Sequence, residues 1–344
     1  MAKILVRADA SAAMGTGHVM RCLALVEILQ ERGHACRFAM AETTPALASL
    51  LSGRGLPIDL LPGPAGGARD LARLRSLASA ADAVVIDGYH FSGPYRAGLA
   101  PRVGPILAWD DGGPPIPLHA TMVVNASSSA LPEDYAARAP GALLLLGPCY
   151  LPLRREIRDL IGSARPGQGP LLVSFGGSDP IGLTAPVLGG LAPEFDGWID
   201  AVLGGSVADP GPALEVCAAF PDRIRLHRDT PQLGRLMLGA RLAVSAAGGT
   251  LAELAALRTP SLLVAVAGNQ REAAGISAGH GWCVAVDASE ENAVPRIVET
   301  ALELWSDPAR LARMSAAATG LVDGGGPVRL ADALETAIAQ CGGP

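Results

Sequence analysis

This sequence predicts two doubly wound α/β domains, on three observations. Short β-rich apolar runs alternate with longer Ala- and Leu-rich stretches of helical period, the signature of a parallel sheet covered by helices. The pattern starts afresh near residue 170, after a polar segment rich in Gly and Pro. The chain has 344 residues, enough for about two domains at roughly 100–200 residues each.

In the first half, Lys3–Arg7 reads as a strand and Val19–Arg32 as the helix after it. Ala35–Met40 is the second strand and Ala68–Ala78 a helix. Ala83–Ile86 is a buried strand ending at Asp87, and Ile106–Trp109 another, ending at Asp110-Asp111. Met122–Asn125 repeats that arrangement, and Leu143–Leu146 is core strand material. The segment Gly162–Gly169 (GSARPGQG) is the expected linker. Residues 1–161 and 170–344 are then the two domains, with the last helix packing back on the first of them. In the second half, Pro170–Phe175 runs into Gly176-Gly177-Ser178-Asp179, and Ile199–Leu203 into Gly204-Gly205-Ser206. Leu242–Ser245 runs into Ala246-Ala247-Gly248-Gly249-Thr250, and Ser261–Val266 into Ala267-Gly268-Asn269-Gln270.

Composition removes several functional classes. Aromatic residues are only 4% of the chain against 49% hydrophobic overall, so the cores are built from Ala, Val, Leu and Ile. The 42 glycines and 28 prolines follow no period, against a collagen-like or disordered chain. A net charge of −6 lacks the basic excess of a general nucleic-acid binder. The six cysteines are scattered without a CxxC pair, so neither a zinc site nor a redox motif is indicated. The apolar run in Lys3-Ile4-Leu5-Val6-Arg7 is a first strand rather than a signal peptide. No run approaches the roughly 18–20 apolar residues of a membrane span. The expectation is a cytoplasmic monomer that acts on a small molecule, with no nucleic-acid or membrane partner, no metal and no cofactor.

In open parallel sheets, ligands bind beyond the carboxyl ends of the strands, where nearly every distinctive motif falls. Met14-Gly15-Thr16-Gly17-His18-Val19-Met20-Arg21 fills the first strand-to-helix loop. Its glycines let the backbone turn tightly, and His18 lands in the first helical turn. The positive end of a helix disfavours imidazolium, so a histidine there stays available as a base; packing at the junction is its structural alternative. Met20 replaces the third glycine of a dinucleotide fingerprint. Ser245 to Glu253 is a small-residue loop opening a helix, suited to phosphate oxygens, with Glu253 in reach of a ribose diol. Thr250-x-x-Glu253 is equally a capping box, and both readings stand. Phe175-Gly176-Gly177-Ser178-Asp179 is either a phosphate-facing loop or an ordinary turn. Asn269-Gln270 puts two amides at a strand mouth. Asp110 and Asp111, being adjacent, point to opposite sides.

Taken in order, these residues resemble a known family: the UDP-2,4-diacetamido-2,4,6-trideoxy-β-L-altropyranose hydrolases (PseG) of pseudaminic acid biosynthesis, relatives of MurG-type glycosyltransferases. The resemblance rests on Arg7-x-Asp9, Gly15-x-Gly17-His18-x-x-Arg21, Asp87-x-Tyr89, Asp110-Asp111 and Asn125. It continues through Gly147-x-x-Tyr150-x-x-Leu153-Arg154-x-Glu156, Gly176-Gly177-Ser178-Asp179, the Ser245–Glu253 loop and Asn269-Gln270. It implies a GT-B-like fold, two Rossmann-like domains facing an interdomain cleft. It also implies hydrolysis of a UDP-sugar at its anomeric carbon without a metal.

By that resemblance His18 is the base on water, with attack inverting the carbon. Tyr89 and Asn269 lie around sugar and diphosphate, Glu253 holds the ribose, and Arg154 contacts the nucleotide. Asp9 is the candidate to orient the imidazole. Gly15, Gly17, Arg21, Gly176, Gly177, Ser245, Gly248, Gly249, Thr250 and Gln270 complete the expected substrate-binding set. The Ala-Gly-Gly-Thr loop is closer to the glycosyltransferase pattern, and Ile157 stands where the hydrolases often have Phe. The alternatives are a GT-B glycosyltransferase with a UDP-sugar donor and a silent nucleotide-sugar binder, which has no need of a base at His18.

Overall fold

The computed structural model describes residues 1–11, 14–100 and 104–341, and at Asn269 the backbone alone. The chain forms two compact units, Met1–Arg155 with Gly324–Pro344, and Glu156–Asp323. The Gly/Pro segment 162–169 therefore lies inside the second unit, and the chain passes between units at the short helix Arg155–Arg158.

Unit 1 contains strands β1 (Lys3–Ala8), β2 (Ala35–Met40), β3 (Ile58–Leu60), β4 (Ala83–Asp87), β5 (Ile106–Trp109), β6 (Met122–Asn125) and β7 (Leu143–Leu146). They form one sheet in the order β3-β2-β1-β4-β5-β6-β7, and every pairing is parallel. The covering helices are α1 (Gly17–Glu31), α2 (Pro45–Gly53), α3 (Ala68–Ala78) and α4 (Gly93–Leu99). Strand β4 is buried along its whole length, which is why AVVI, up to Asp87, is a continuous apolar run and not an alternating one.

Alternation along β1 divides the core. Ile4, Val6 and Ala8 pack on the α1 side with Leu25 and Leu29, whereas Leu5 packs on the other face with Leu74 and Tyr95. Helix α1 is apolar nearly all round because its second face meets the C-terminal helix Gly326–Cys341, whose Leu330, Ala331 and Leu334 enter the same cluster.

Unit 2 repeats the plan. The short helix Arg155–Arg158 is α5; then follow α6 (Thr184–Leu191), α7 (Gly211–Ala219), α8 (Leu233–Gly239), α9 (Thr250–Ala256), α10 (Gly268–Gly279), α11 (Ala293–Ser306) and α12 (Pro308–Ala317), with Gly326–Cys341 as α13 in unit 1. Strands β8 (Leu171–Ser174), β9 (Ile199–Leu203), β10 (Ile224–Arg228), β11 (Leu242–Ala246), β12 (Ser261–Ala265) and β13 (Cys283–Asp287) order as β10-β9-β8-β11-β12-β13. The strand order reverses between β1 and β4 in unit 1, and between β8 and β11 in unit 2. These are the positions where open sheets present their ligand crevices. Among the described residues no helix is long and apolar enough to cross a membrane.

Candidate functional site

At the switch point of unit 1, His18 is the second residue of α1 and Asp87 the last of β4. Both are buried, with His18 Nδ1 2.8 Å from Asp87 Oδ1. An ionised carboxylate can only accept, so the neutral ring carries its proton on Nδ1 and leaves Nε2 as the basic nitrogen. The 3.2 Å approach of Arg21 Nη2 to the same Nδ1 is then a contact between donors.

Arg21, one turn on from His18, donates through Nε to Asp87 Oδ2 and through Nη2 to Oδ1 at 2.6 Å. Its Nη1 reaches Asp111 Oδ1 at 2.7 Å, and Asp111 Oδ2 accepts from Tyr89 Oη at 2.6 Å. Tyr89 stands edge-on to His18 with ring centroids 4.6 Å apart, and is 64% exposed. Burial pushes the Asp87 carboxyl up, but the Arg21 guanidinium and the His18 hydrogen bond outweigh it and hold the group below its ordinary value. Burial, reinforced by the Asp111 carboxylate, pushes the Tyr89 phenol up, so it stays protonated and a donor.

The expected orienting residue, Asp9, is a correction: it is not beside His18. It pairs with Arg7 Nη1 at 2.7 Å and His90 Nε2 at 2.9 Å, and accepts from Ala41 N and Glu42 N. Register explains the difference. Ala8 is the parallel partner of Asp87 and faces the α1 side, so Asp87 faces it too. Asp9, one residue further, projects to the opposite face, where Arg7 also meets Asp70 and Tyr95. Asp9→Ala is therefore expected to lower stability by about 3–5 kcal/mol, because it strips one partner from a buried charge. Denaturant unfolding checks it.

Three of the five N–H groups of the Arg21 guanidinium are thus spent on the Asp87 and Asp111 carboxylates. Gly15 has φ +76°, which only glycine adopts without strain, while Gly17 has no positive φ and a Cβ there meets nothing within 4 Å. Asp110 and Asp111 do part company. Asp110 binds Arg138 at 2.7 and 2.9 Å and accepts from Tyr135 and Gly112.

In unit 2, Gly176 has φ +83° just after β8. The Gly177 backbone lies against Gly204, whose added Cβ would come within 2.3 Å of the Gly177 oxygen. Asp179 accepts from Leu183 N and Thr184 N at 2.9 Å, so the end of that loop caps a helix. Ser245 is fully buried inside β11 with its hydroxyl on the Ala246 oxygen, which corrects its place among ligand-contacting groups. The capping box is absent too: Gly249 is the N-cap of α9, without a side-chain cap bond, and Thr250 is the first helical residue. Glu253 is buried. Gln270 accepts from Val266 N through Oε1, and its Nε2 is 3.6 Å from where a Gly248 Cβ would sit, so the β11 and β12 loops meet here. Arg154 is half-buried just before α5. The Asn269 side chain lies outside the described residues. Sequence reasoning left Asp87 and Asp111 out of the expected site, though the i, i+3 spacing of His18 and Arg21 on a helix was the signal that a shared carboxylate could find.

No family model matches the chain. It is 30% identical over 369 residues to the UDP-N-acetylglucosamine--N-acetylmuramyl-(pentapeptide) pyrophosphoryl-undecaprenol N-acetylglucosamine transferase of Clavibacter sepedonicus, covering 94% of each chain. It is 23% identical over 280 residues to an uncharacterised protein of Methanocaldococcus jannaschii, covering 78% of this chain and 57% of that one. Among solved structures, Acinetobacter baumannii MurG superposes with a TM-score of 0.66 at 15% identity, over 98% of this chain and all of that one. The UDP-GlcNAc 2-epimerase of Neisseria meningitidis bound to UDP-GlcNAc gives 0.68 at 13% identity, over 97% and 100%.

Proposed function

The chain belongs to the family of the UDP-N-acetylglucosamine-dependent transferases of the Clavibacter type, and on that premise we propose that it breaks the anomeric C–O bond of a UDP-linked N-acetylated amino sugar. Its fold is the GT-B glycosyltransferase fold. The observation that carries the reading is the His18–Asp87 pair at the switch point of unit 1.

In the proposed reaction an O–H nucleophile attacks C1, its proton passes to His18 Nε2, and the C1–O bond breaks with the electron pair leaving on UDP. The result is inversion. Asp87 stabilises the imidazolium, and Arg21 keeps Asp87 ionised, so the proton rests on histidine and is not passed to the carboxylate. General-base assistance of this kind contributes about 10²–10⁴-fold. UDP leaves readily when hydrogen-bond donors meet its growing charge. The segments after β8, β11 and β12 in unit 2 are the proposed nucleotide end, with Gly176, Gly248, Gly249, Thr250 and Gln270 beside the diphosphate and Glu253 on the ribose.

Family membership favours a sugar hydroxyl as the nucleophile, hence transfer. A second reading, hydrolysis of a UDP-2,4-diacetamido sugar, is favoured by Tyr89. That residue is the sugar neighbour of the hydrolase resemblance, and it stands against His18 with its phenol fixed on Asp111. Purified protein given UDP-sugar with and without an acceptor separates the two: acceptor-dependent UDP release supports transfer, and release with free sugar in water alone supports hydrolysis. Absence of release under both conditions overturns the proposal. Glu253→Ala is expected to weaken UDP binding roughly 10-fold or more, the size of a lost hydrogen bond to a charged group. Calorimetry reads it, and an unchanged dissociation constant removes Glu253 from the nucleotide site.

A further inference from the structure

The chain crosses the end of the unit 1 sheet between β4 and α4, at the switch point, and its side chains part there. Asp87 and Tyr89 turn towards His18 on the α1 side. His90 and Phe91 turn to the other face. Phe91 joins the cluster of Leu5, Leu74 and Tyr95, and His90 Nε2 stands 2.9 Å from Asp9 Oδ2. Burial pushes the Asp9 carboxyl up, but the hydrogen bonds from His90 and Arg7 outweigh it and hold the group well below its ordinary value. An ionised carboxylate only accepts, so His90 Nε2 is the donor.

Asp9 is a firm anchor. The backbone N–H groups of Ala41 and Glu42 and the Arg7 guanidinium hold it, and Arg7 is held in turn by Asp70 and Tyr95. The loop is also packed closely about His90. A Cβ added to Gly66 would come within 2.8 Å of the His90 oxygen, and one added to Gly88 within 2.8 Å of the His90 ring. Tyr89 has no such enclosure. It is 64% exposed, and its phenol bonds the partly exposed Asp111 carboxylate, where water competes for the same hydrogen bond. The ring is therefore placed by the backbone that carries it.

That placement bears on the dyad. The hydrogen bond from His18 Nδ1 to Asp87 leaves the imidazole free to pivot about it, and Tyr89, edge-on at 4.6 Å between centroids, is the side contact that limits the pivot. We propose that His90 is a positioning residue of this site: held on Asp9, it fixes the loop between β4 and α4 and so sets Tyr89 against the His18 ring. Asp9 then acts on the catalytic imidazole at one remove, through a second histidine on the far face of the sheet. The assignment rests on the reading of His18 as the base and adds what keeps that base in line.

The test compares His90→Leu, which loses the donor and keeps an apolar body against Gly88 and Phe91, with His90→Gln. The glutamine amide nitrogen stands where Nε2 does and can still donate to Asp9. Each is made in wild type and in Tyr89→Ala. One readout needs no turnover: the nuclear Overhauser cross-peak between the Tyr89 and His18 rings in protein with labelled tyrosine and histidine. The chain has four tyrosines, and the Tyr89 signal is the one lost in Tyr89→Ala. The other readout is kcat and KM for UDP release. His90→Leu is expected to lose the cross-peak and to lower kcat roughly 10–100-fold, as a misplacement of about 1 Å can, with KM unchanged. His90→Gln restores both. In Tyr89→Ala, His90→Leu costs nothing more, because the two changes remove the same contact. A cross-peak indifferent to His90, a glutamine variant no better than leucine, or an undiminished loss in Tyr89→Ala overturns the assignment. A cross-peak that depends on His90 in a protein that releases no UDP supports the anchor and counts against the catalytic reading alone. If His90→Leu does not fold, His90→Asn, whose amide falls short of Asp9, takes its place.

Discussion

His18→Ala is expected to lower the rate of UDP release by about 10²–10⁴-fold, the contribution of a positioned general base, with the dissociation constant for UDP unchanged. The separation follows from where the groups stand. The imidazole belongs to α1 in unit 1, and the proposed nucleotide residues belong to unit 2. Alanine is the strongest helix former, and α1 is held by its buried apolar side chains against the sheet and α13. Loss of the ring therefore leaves the helix in place. A steady-state assay with calorimetric binding of UDP reads both halves, and a variant that turns over at the wild-type rate removes His18 from the reaction.

Asp87→Asn is expected to cost about 10⁴-fold, the loss produced when the carboxylate orienting a catalytic histidine becomes an amide. The amide can donate to Nδ1, which would shift the ring proton to Nε2 and block the base. It also discharges the group on which Arg21 is clamped. Binding of UDP again remains, so the loss appears in kcat.

The same carboxylate gives a pH signature with a definite sign. Its value in the folded protein lies below the ordinary 3.8, so its contribution to stability is present above about pH 4 and disappears as the pH falls through the folded value. The stability gap between wild type and Asp87→Asn is accordingly largest at neutral pH and closes in acid.

Much of this fold could be read along the chain, because strand ends and chemistry coincide. AVVID stops on Asp87, and the apolar run of β12 stops just before Asn269-Gln270, so the ends of the strands and the polar groups there share one signal. The return of α13 to unit 1 leaves a weaker trace, since its apolar residues are at ordinary helical spacing and name no partner. That Asp87 and not Asp9 meets His18 was hidden for another reason: both are acidic residues at strand ends, and only the register of β1 against β4 tells which one faces α1. For Arg21 a sequence shows the charge and not the two carboxylates on which it is held.

The account stands or falls on direct displacement at C1 by a hydroxyl that His18 deprotonates. Following the anomeric proton by ¹H NMR in the first turnovers, before any free sugar can mutarotate, tests this in one experiment. The account predicts that the first sugar product carries the configuration opposite to that of the UDP-sugar. A first product with the original configuration would contradict it, because a single base-assisted displacement cannot retain.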